Sequence, residues 1–280
     1  MELPAPNVLD EALAALHDQV SAPNQSFVAA ARAALDPPRT PGLAGPRTPD
    51  APPTPAAVAA RIDHTQLTPT ATDAAIQQCC EEALQYQFGA VCIPPAYVPL
   101  ATQHLRDSDV RVCTVIGFPL GANRPVVKAT EAGQALTDGA HELDMVMNLG
   151  AFKSGRYTDV HDDIAAVVDA AADADREVLV KVILETPLLS DAETAVAAQI
   201  AKAAGADFVK TATGFSGGGA TFSAVALMRQ VVGDALGVKA SGGVGSLDKA
   251  RAMLAHGATR IGASGSVGIM EGAAASDASY

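Results

Sequence analysis

The sequence predicts an α/β fold, a closed (β/α)8 TIM barrel preceded by a helical extension. Eight short apolar runs alternate with Ala- and Glu-rich helical stretches over residues 56–272. Polar or glycine residues follow these runs, as expected for a barrel whose working groups lie at the carboxyl ends of its strands. An open, doubly wound sheet is the alternative. However, no run leads through a GxGxxG loop into a helix, and eight even units favour closure.

The predicted strands are runs of small and β-branched apolar residues, which suit a parallel sheet buried on both faces. They lie around Ala60–Asp63, Ala90–Ile93, Val112–Gly117, Glu142–Met147, Val178–Leu184, Asp207–Thr211, Val238–Ser241 and Arg260–Ala263.

The predicted helices lie between these strands, and several begin after a Ser or Thr that can cap them. Thr72, Ser190 and Ser246 are the capping candidates. The helices cover Thr72–Gln87, Arg124–Thr137, Asp159–Ala172, Asp191–Ala204, Ala220–Val232 and Ser246–Ala255.

Both ends of the chain lie outside the predicted barrel. Residues 1–36 predict two short helices, near Val8–Gln19 and Gln25–Leu35. Residues 37–55 are rich in proline, which removes backbone donors and blocks helix, so they predict a linker. Residues 273–280 predict a flexible tail. The extension carries no evident chemistry and is expected to be a tail or a flap over a neighbouring surface.

Composition excludes several classes of partner. The formal net charge of the 280 residues is −12, which argues against nucleic acid or an anionic membrane as a partner. It still allows a phosphorylated metabolite, since backbone N–H groups can hold phosphate in an acidic protein. No window is apolar enough to span a membrane, and the first residues do not resemble a signal peptide. The spacing of the four cysteines predicts reduced thiols in a cytoplasmic protein.

Two lysines stand at the ends of neighbouring predicted strands, where a buried sheet has no ordinary use for charge. Lys210 ends one strand, and Lys239 ends the next, 29 residues later. Glycines follow each of them, at Gly214 and at Gly242–Gly243. Either lysine alone would suit a structural ion pair, but the two together predict a cationic pocket beside an anion-binding loop.

A lysine attacks a carbonyl only when it is neutral, and both burial and a neighbouring cation favour the neutral form. Lys210 beside Lys239 fits this requirement, so Lys210 could form a Schiff base that withdraws electrons from the adjacent C–C bond. Asp144 is the carboxylate best placed to move the proton. Lys181 and Asp63, also at strand ends, are expected to orient these groups.

Phosphate in such barrels is often held by the loops after the last two strands. Here those loops are rich in glycine, which allows the backbone to approach a ligand closely. The candidate binding residues are Thr213, Gly214, Gly242, Gly243, Gly262, Ser264 and Gly265.

No metal or other cofactor is expected. His64 and His141 are the candidate ligands, but no third ligand lies at strand or helical spacing from them. Cys92 and Cys113 are interpreted as small core residues.

Eight sequence blocks, in order and at compatible spacing, resemble the deoxyribose-phosphate aldolase family from about Ile62 to Val267. They are Asp63–Thr65, Val91–Ile93, Thr114–Gly121, Glu142–Val146, Lys181–Thr186, Val209–Phe215, Val238–Gly243 and Arg260–Ser264.

The resemblance implies a metal-independent class I aldolase of deoxyribose phosphate catabolism. Such an enzyme interconverts 2-deoxy-D-ribose 5-phosphate with D-glyceraldehyde 3-phosphate and acetaldehyde. By motif, Lys210 resembles the Schiff-base lysine, Lys239 the lysine that perturbs it, and Asp144 the proton-relay carboxylate. Family members can end in a mobile tail with a terminal tyrosine, so Tyr280 is a further candidate. A homodimer is also expected.

Departures from the family pattern affect individual hydrogen bonds rather than the lysine pair. Pro94–Pro95 replaces a frequent Asn-Pro, Ala212 replaces a usual serine, and Gly265 replaces a common second serine. Two alternatives stay open at this point. One is another Schiff-base sugar-phosphate aldolase or a transaldolase-like enzyme, and the other is a phosphate-binding barrel without catalysis.

Overall fold

The computed structural model describes residues 6–35 and 52–272, and it contains a closed barrel of eight parallel strands in chain order. The predicted TIM barrel is therefore confirmed. The strands are β1 Ile62–Thr65, β2 Ala90–Ile93, β3 Arg111–Ile116, β4 Glu142–Val146, β5 Leu179–Ile183, β6 Phe208–Lys210, β7 Gly237–Ser241 and β8 Arg260–Ala263.

Helices surround the barrel, and the three predicted caps are present. Thr72, Ser190 and Ser246 each accept a hydrogen bond from the backbone N–H three residues later. The helices are α1 Pro6–Gln19, α2 Ala22–Leu35, α3 Pro55–Ala59, α4 Asp73–Tyr86, α5 Val98–Leu105, α6 Pro125–Thr137, α7 Leu149–Lys153, α8 Tyr157–Ala172, α9 Asp191–Ala203, α10 Phe222–Val232, α11 Leu247–Ala255 and α12 Ser266–Glu271.

The first strand begins two residues later than the sequence predicts. Thr54 caps α3 and Pro55 occupies its first turn, so the five residues Pro55–Ala59 are helical. The strand can begin only after this helix has ended. The short helices α5, α7 and α12 were not predicted, because none of them is long enough to display a clear apolar period.

Strand register brings the charged residues of the sequence together inside the barrel. Asp144 pairs with Lys181 across β4 and β5, and Lys239 pairs with both Lys210 and Arg260 across β6, β7 and β8. Alternate residues of each strand point outward, so apolar side chains such as Val182 of β5 pack in the core beneath the helices. Lys181 of the same strand points the other way, into the barrel interior, where it contacts Asp144.

The barrel interior has an apolar side as well as a charged side. A small cluster near β1, β2 and β3 is separate from the main core between barrel and helices. Phe118 and Phe215 pack against it and meet edge to face, with 5.3 Å between ring centroids. The buried members are Leu67, Ala90, Cys92, Cys113 and Val115.

The N-terminal helices α1 and α2 pack against α8, α9 and α10 of the same chain. Asn24 fastens this contact, because its side-chain amide donates to the Gly155 carbonyl over 2.8 Å. Its Oδ1 accepts from the backbone N–H and the hydroxyl of Thr158, at 2.8 and 2.9 Å. The extension therefore covers the helical face of its own barrel. Most of the predicted linker, residues 37–51, and the predicted tail, residues 273–280, lie outside the described residues.

Within residues 6–35 and 52–272, the helices are too short or too polar to cross a membrane.

Candidate active site

Every strand of the barrel contributes a titratable side chain to one buried cluster. This cluster, called here the interior charge network, has Asp144 at its centre. Its members are Asp63 of β1, Cys92 of β2, Cys113 of β3, Glu142 and Asp144 of β4, Lys181 of β5, Lys210 of β6, Lys239 of β7 and Arg260 of β8.

Asp144 contacts three lysines at once. Its Oδ2 accepts from Lys210 Nζ at 2.6 Å and from Lys239 Nζ at 2.7 Å, while Oδ1 accepts from Lys181 Nζ at 2.9 Å. Burial opposes ionisation of this carboxyl, but the three ammonium groups outweigh burial and hold its pKa well below the usual range. Asp144 is therefore an ionised acceptor in the resting site.

Lys181 is the most heavily paired lysine. Its Nζ lies 2.6 Å from Glu142, 2.9 Å from Asp144 and 3.7 Å from Asp63, and it donates to the Cys113 sulfur at 3.3 Å. Burial lowers the pKa of a lysine, but these anionic neighbours raise that of Lys181 well above its ordinary value. Lys181 thus remains a cation that donates to Asp144, and its role in orienting that carboxylate stays a prediction.

Lys239 has two carboxylate partners. Its Nζ donates to Asp63 Oδ2 and to Asp144 Oδ2, and the side chain is fully buried. Although burial opposes it, Asp144 and Asp63 raise the pKa of Lys239. Lys239 is therefore a permanent positive charge, and it shares a carboxylate oxygen with Lys210.

Lys210 differs from the other two lysines by its single ion pair. Among the described residues its Nζ contacts only the carboxylate of Asp144. It is the last residue of β6 and is 2% exposed. Lys210 is consequently held by fewer ionic contacts than Lys181 or Lys239.

Glu142 and Arg260 join the network from the amino-terminal side of the barrel, and the sequence did not reveal their part in it. Arg260 begins β8, donates to Glu142 Oε1 over 2.7 Å, and lies 3.3 Å from Asp63 Oδ1. Glu142 in turn contacts Lys181. The alternation that places Glu142 on the face of Asp144 was visible in the sequence, but its partner on β8, four strands away, was not.

The loop after Lys210 is held by a buried carboxylate. Glu185 has a left-handed backbone, with φ of 58°, and accepts from the Thr213 backbone N–H at 3.2 Å and its hydroxyl at 2.5 Å. The Thr213 hydroxyl accepts in turn from the N–H of Phe215. Both donors of Thr213 are therefore engaged within the chain. Thr213 therefore shapes the loop through these hydrogen bonds. Glu185 is a functional candidate to which the sequence analysis gave no role.

Two predicted phosphate-site glycines have close neighbours within the chain. A Cβ on Gly242, whose φ is 92°, would lie 2.7 Å from the Gly219 backbone. A Cβ on Gly262 would lie 2.8 Å from Ser241 Oγ and 3.0 Å from Lys239 Cε. Gly242 thus lets two loops meet, whereas Gly262 makes room for Lys239. Packing within the chain therefore explains why glycine occupies each of these two positions, without any contact to a ligand.

The remaining predicted phosphate residues surround the same end of the barrel. Gly214 and Gly243 have φ of 89° and 70°, a conformation that favours glycine. Gly265 precedes α12, and Ser264 is half-buried with no hydrogen bond to its hydroxyl from the described part of the chain. Tyr280, the predicted tail residue, lies outside the described residues.

The histidines considered as metal ligands have other partners. His64 Nε2 lies 2.7 Å from Glu82, on the outer side of β1, and His141 Nδ1 accepts from the Val112 N–H at 3.2 Å. Within the interior charge network, two sets each bring three ligand atoms within 4.8 Å of one another. These sets are Cys92, Cys113 and Asp144, and Asp63, Cys113 and Glu142. Their carboxylates are already paired with lysine and arginine, so a metal ion would have to displace those cations.

Comparison with known proteins agrees with this geometry. Residues 57–274 match the family model described as DeoC/LacD family aldolase. The deoxyribose-phosphate aldolase of Enterococcus faecalis is 57% identical over 212 residues, which cover 76% of this chain and 95% of that protein. The deoxyribose-phosphate aldolase of Clostridium perfringens is 55% identical over 223 residues, or 80% of this chain and 98% of the relative.

Solved structures show the same similarity. A Coccidioides immitis protein proposed to be a deoxyribose-phosphate aldolase superposes with a TM-score of 0.81 at 40% identity, covering 89% of this chain and 97% of that one. This share exceeds the barrel and the C-terminal residues together, so the match includes part of the N-terminal extension. The tetrameric deoxyribose phosphate aldolase of Aeropyrum pernix gives a TM-score of 0.72 at 34% identity, covering 78% and 91%.

Proposed function

The chain belongs to the DeoC/LacD family of aldolases, and we propose that Lys210 is the residue through which it acts. The reaction is the reversible cleavage of 2-deoxy-D-ribose 5-phosphate to D-glyceraldehyde 3-phosphate and acetaldehyde. The observation that carries the assignment is the ionic environment of Lys210, which has one carboxylate partner and stands beside the permanent cation Lys239.

The two other lysines are less suited to nucleophilic attack. Lys181 would lose contacts to three carboxylates on deprotonation, and Lys239 would lose contacts to two. A lysine must be neutral to attack a carbonyl carbon, and a neighbouring ammonium group favours that neutral state. Lys239 supplies this neighbour, since both of them reach the same oxygen of Asp144.

The chemistry follows from a neutral Lys210. Its Nζ adds to C1 of the open-chain sugar, and loss of water gives an iminium ion. A base then takes the proton of the C3 hydroxyl, the C2–C3 bond breaks, and its electron pair forms an enamine on Lys210. Glyceraldehyde 3-phosphate leaves, C2 of the enamine gains a proton, and hydrolysis releases acetaldehyde and free Lys210.

Asp144 is the proposed proton relay in these steps. It is ionised, lies 2.6 Å from the reacting nitrogen, and can accept a proton that Lys210 or the substrate gives up. Lys181 holds the Asp144 carboxylate, and Asp63 holds Lys239. Both do so from the side that faces away from the proposed substrate position. Proton transfer by a positioned group of this kind contributes typically about 100- to 10,000-fold to rate.

The apolar side of the barrel interior suits a small donor aldehyde. The Leu67 and Val115 side chains belong to the small cluster inside the barrel, and Phe118 and Phe215 pack against it. A two-carbon donor carries one methyl group and no hydroxyl, so it would pair with apolar side chains without leaving a polar group unsatisfied. This wall supports acetaldehyde over a hydroxylated donor.

The phosphate is proposed to bind at the loops after β7 and β8. Backbone N–H groups around Gly242–Gly243 and Ser264–Gly265, with Gly214 opposite, could surround an anion. Thr213 would support this site indirectly through its hydrogen bonds to Glu185. Tyr280 is proposed to reach the substrate from the tail, as the family resemblance implies.

No metal ion or other cofactor is proposed to take part. The reaction above needs only lysine and carboxylate groups, and the cations already paired with the interior carboxylates occupy the positions where a metal would bind. Prolonged EDTA treatment followed by desalting is expected to leave turnover unchanged. Loss of activity that zinc restores would contradict the roles proposed for the lysines.

We also propose that the protein works as a cytoplasmic homodimer. Four cysteines are free and buried, which suits a reducing compartment. Leu120, Val126 and Val127 are exposed apolar side chains around the start of α6, and such side chains suit a subunit contact. Light scattering after size-exclusion chromatography would measure the mass, and a monomer at micromolar concentration would contradict the dimer.

Trapping of the covalent intermediate tests the proposed function. Borohydride with acetaldehyde should add a reduced two-carbon unit to the peptide that contains Lys210, and Lys210→Arg should abolish labelling because arginine stays protonated. Lys153→Met, which removes an exposed surface lysine, is the matched control and should label fully. A label found only on another lysine, or products other than glyceraldehyde 3-phosphate and acetaldehyde, would overturn the assignment.

A further inference from the structure

Two features of Glu185, beside the candidate active site, are energetically costly. Its backbone is left-handed, with φ of 58°, a conformation that residues other than glycine rarely adopt. It is also 1% exposed, and the described partners of its carboxyl are the donors of Thr213 rather than a cation. A strained backbone and a buried carboxyl persist together only where the surrounding structure holds them, and such strain is concentrated at functional sites.

The Glu185 carboxyl binds the loop after Lys210 through Thr213. Its Oε1 and Oε2 accept from the Thr213 N–H at 3.2 and 3.3 Å, and Oε2 also accepts from the Thr213 hydroxyl at 2.5 Å. The same hydroxyl accepts from the N–H of Phe215 at 3.0 Å. One hydroxyl group therefore connects the buried carboxyl to the residue that carries the Phe215 ring.

Backbone hydrogen bonds tie the residues on either side of Glu185 to the end of β6. The Leu184 N–H donates to the Lys210 carbonyl over 2.9 Å, and the Thr186 N–H donates to the Thr211 carbonyl over 2.8 Å. These bonds continue the pairing of β5 with β6 beyond the ends of both strands. Together with the side-chain contacts, they fix the loop at several points along the short stretch that follows the proposed nucleophile.

Phe215 lies on the apolar side of the barrel interior, close to the reacting lysine. Its ring meets Phe118 edge to face, with 5.3 Å between centroids, and both rings pack against the small cluster that includes Cys92. The Cys92 sulfur lies within 4.8 Å of a carboxylate oxygen of Asp144, which pairs with Lys210. The Phe215 ring therefore helps to bound the space beside that lysine.

We propose that Glu185 is a positioning residue that sets the size of the donor aldehyde. By holding Thr213, it keeps the Phe215 ring against Phe118, so that the apolar wall leaves room for a two-carbon donor and opposes a longer one. The inference rests on the proposed function, in which the donor is bound to Lys210. It goes further by assigning donor size selectivity to a carboxyl that acts through another side chain.

Donor selectivity in the direction of synthesis tests this role. With D-glyceraldehyde 3-phosphate as the acceptor, kcat/KM is measured for acetaldehyde and for propanal, which is longer by one methylene. The wild-type protein should favour acetaldehyde by about 10-fold or more, since one methylene in a filled pocket changes kcat/KM by that order. Glu185→Gln replaces an acceptor oxygen by an NH2 donor and should lower this preference at least about fivefold. A wild-type protein without the preference would overturn the proposal.

Thr213→Val provides a second test, which still decides the outcome if urea unfolding shows that Glu185→Gln does not fold. It keeps the side-chain shape but removes the hydroxyl that accepts from Phe215, so the preference should fall as in Glu185→Gln. Thr213→Ser keeps the hydroxyl and should keep the wild-type preference within about twofold. Glu193→Gln is the matched control, because Glu193 likewise accepts from a backbone N–H, that of Ser190. It should not change the preference.

Phe215→Leu shows whether Glu185 acts through this ring. The substitution alone should lower the preference for acetaldehyde. Adding Glu185→Gln should then change the preference by less than about twofold, because both substitutions act on the same wall. Effects that multiply would mean that Glu185 acts by another route, and an unchanged preference in both Glu185→Gln and Thr213→Val would leave Glu185 a structural role alone. Either result would overturn the proposal.

Borohydride trapping separates this inference from the proposed function. Propanal should add a reduced three-carbon unit to Lys210 more fully in Glu185→Gln than in the wild-type protein. If acetaldehyde labels Lys210 but the donor preference does not change, only this inference fails. A higher KM for glyceraldehyde 3-phosphate in that case would mean that Glu185 supports the phosphate loop instead. If Lys210 is never labelled in the wild-type protein, the proposed function fails, and the inference fails with it.

Discussion

Lys210 and Lys239 share one oxygen of Asp144, with the two ammonium nitrogens 2.6 and 2.7 Å from Oδ2. Two cations on one carboxylate oxygen repel each other, and Lys239 has Asp63 as a second partner whereas Lys210 does not. Lys210 is therefore the less firmly held of the two ammonium groups. This asymmetry is the basis of the first two predictions.

Lys239→Met should move the acid limb of kcat/KM to higher pH by about one unit, since the cation that favours neutral Lys210 is removed. Activity at pH 7 should fall by at least about 100-fold. Lys153→Met at the surface is the control and should show no shift. An unchanged acid limb with reduced activity would mean that Lys239 acts directly in proton transfer or substrate binding.

Asp144→Asn should leave three buried ammonium groups without their shared counter-ion. Removal of one partner from a buried charge network costs about 3–5 kcal/mol of stability, and activity should fall by at least about 100-fold. Urea unfolding and steady-state rates measure the two effects. Asp159→Asn is the matched control, because the Asp159 side chain on α8 is 57% exposed. A stable Asp144→Asn variant with near-normal turnover would exclude the central role given to this carboxylate.

Acid should destabilise the protein through the interior carboxyls. The pKa values of Asp63 and Asp144 are lowered in the folded state, because neighbouring cations outweigh burial. A carboxyl with a depressed folded-state pKa contributes stability above its unfolded pKa of about 3.9 and loses it as the pH falls through the folded value. The melting temperature should therefore fall steeply below about pH 4. Asp63→Asn should show a smaller fall, and an equal fall would assign the acid sensitivity elsewhere.

The two tightly packed glycines should have separable effects on kinetics. Gly262→Ala would push on Lys239 Cε, so it should lower kcat about 10-fold or more with both 2-deoxyribose 5-phosphate and unphosphorylated 2-deoxyribose. Gly242→Ala would push on Gly219 and displace the phosphate loop, so it should raise KM about 10-fold for the phosphorylated substrate alone.

Gly133→Ala is the control for both substitutions, because a Cβ there meets nothing within 4 Å. It should leave the kinetics with both substrates unchanged. Equal losses for both substrates in Gly242→Ala would mean that this loop supports the lysines rather than the phosphate.

Asn24→Ala should loosen the N-terminal helices from the barrel. It removes the hydrogen bonds to Gly155 and Thr158, which together are worth about 2 kcal/mol, and leaves partly buried backbone groups without these partners. Urea unfolding should show this loss, while kcat/KM stays within about twofold because no contact to the interior charge network changes. Ser26→Ala, at an exposed position of α2, is the control. Unchanged stability would show that apolar packing alone holds the extension.

The sequence allowed the barrel and its central residues to be predicted because both follow from local order. The strand pattern placed Lys181 and Lys210 at strand ends, and chain order placed Lys210 next to Lys239. Contacts across the barrel could not be found in this way. The Arg260 contact to Glu142 depends on closure and strand tilt, and no local pattern encodes these.

The same limit applies to the loops at the site. The left-handed backbone of Glu185 and its hydrogen bonds to Thr213 depend on two loops meeting, so a donor expected for phosphate is engaged within the chain. The short helices α5, α7 and α12 also escaped prediction, since they have only 8, 5 and 6 residues. Short helices and contacts across the barrel could therefore not be predicted from the sequence, whereas the longer elements could.

The division of the barrel interior into an apolar and a charged side has a consequence for engineering. Leu67 and Val115 line the apolar side and contribute no charge to the network around Asp144. Substituting them with smaller residues would enlarge the space for the donor aldehyde while leaving every lysine with its counter-ions. The range of donor aldehydes and the activation of the lysine nucleophile can therefore be altered independently. A library of variants at Leu67 and Val115 can be screened for longer donor aldehydes while the enzyme keeps its catalytic lysines intact.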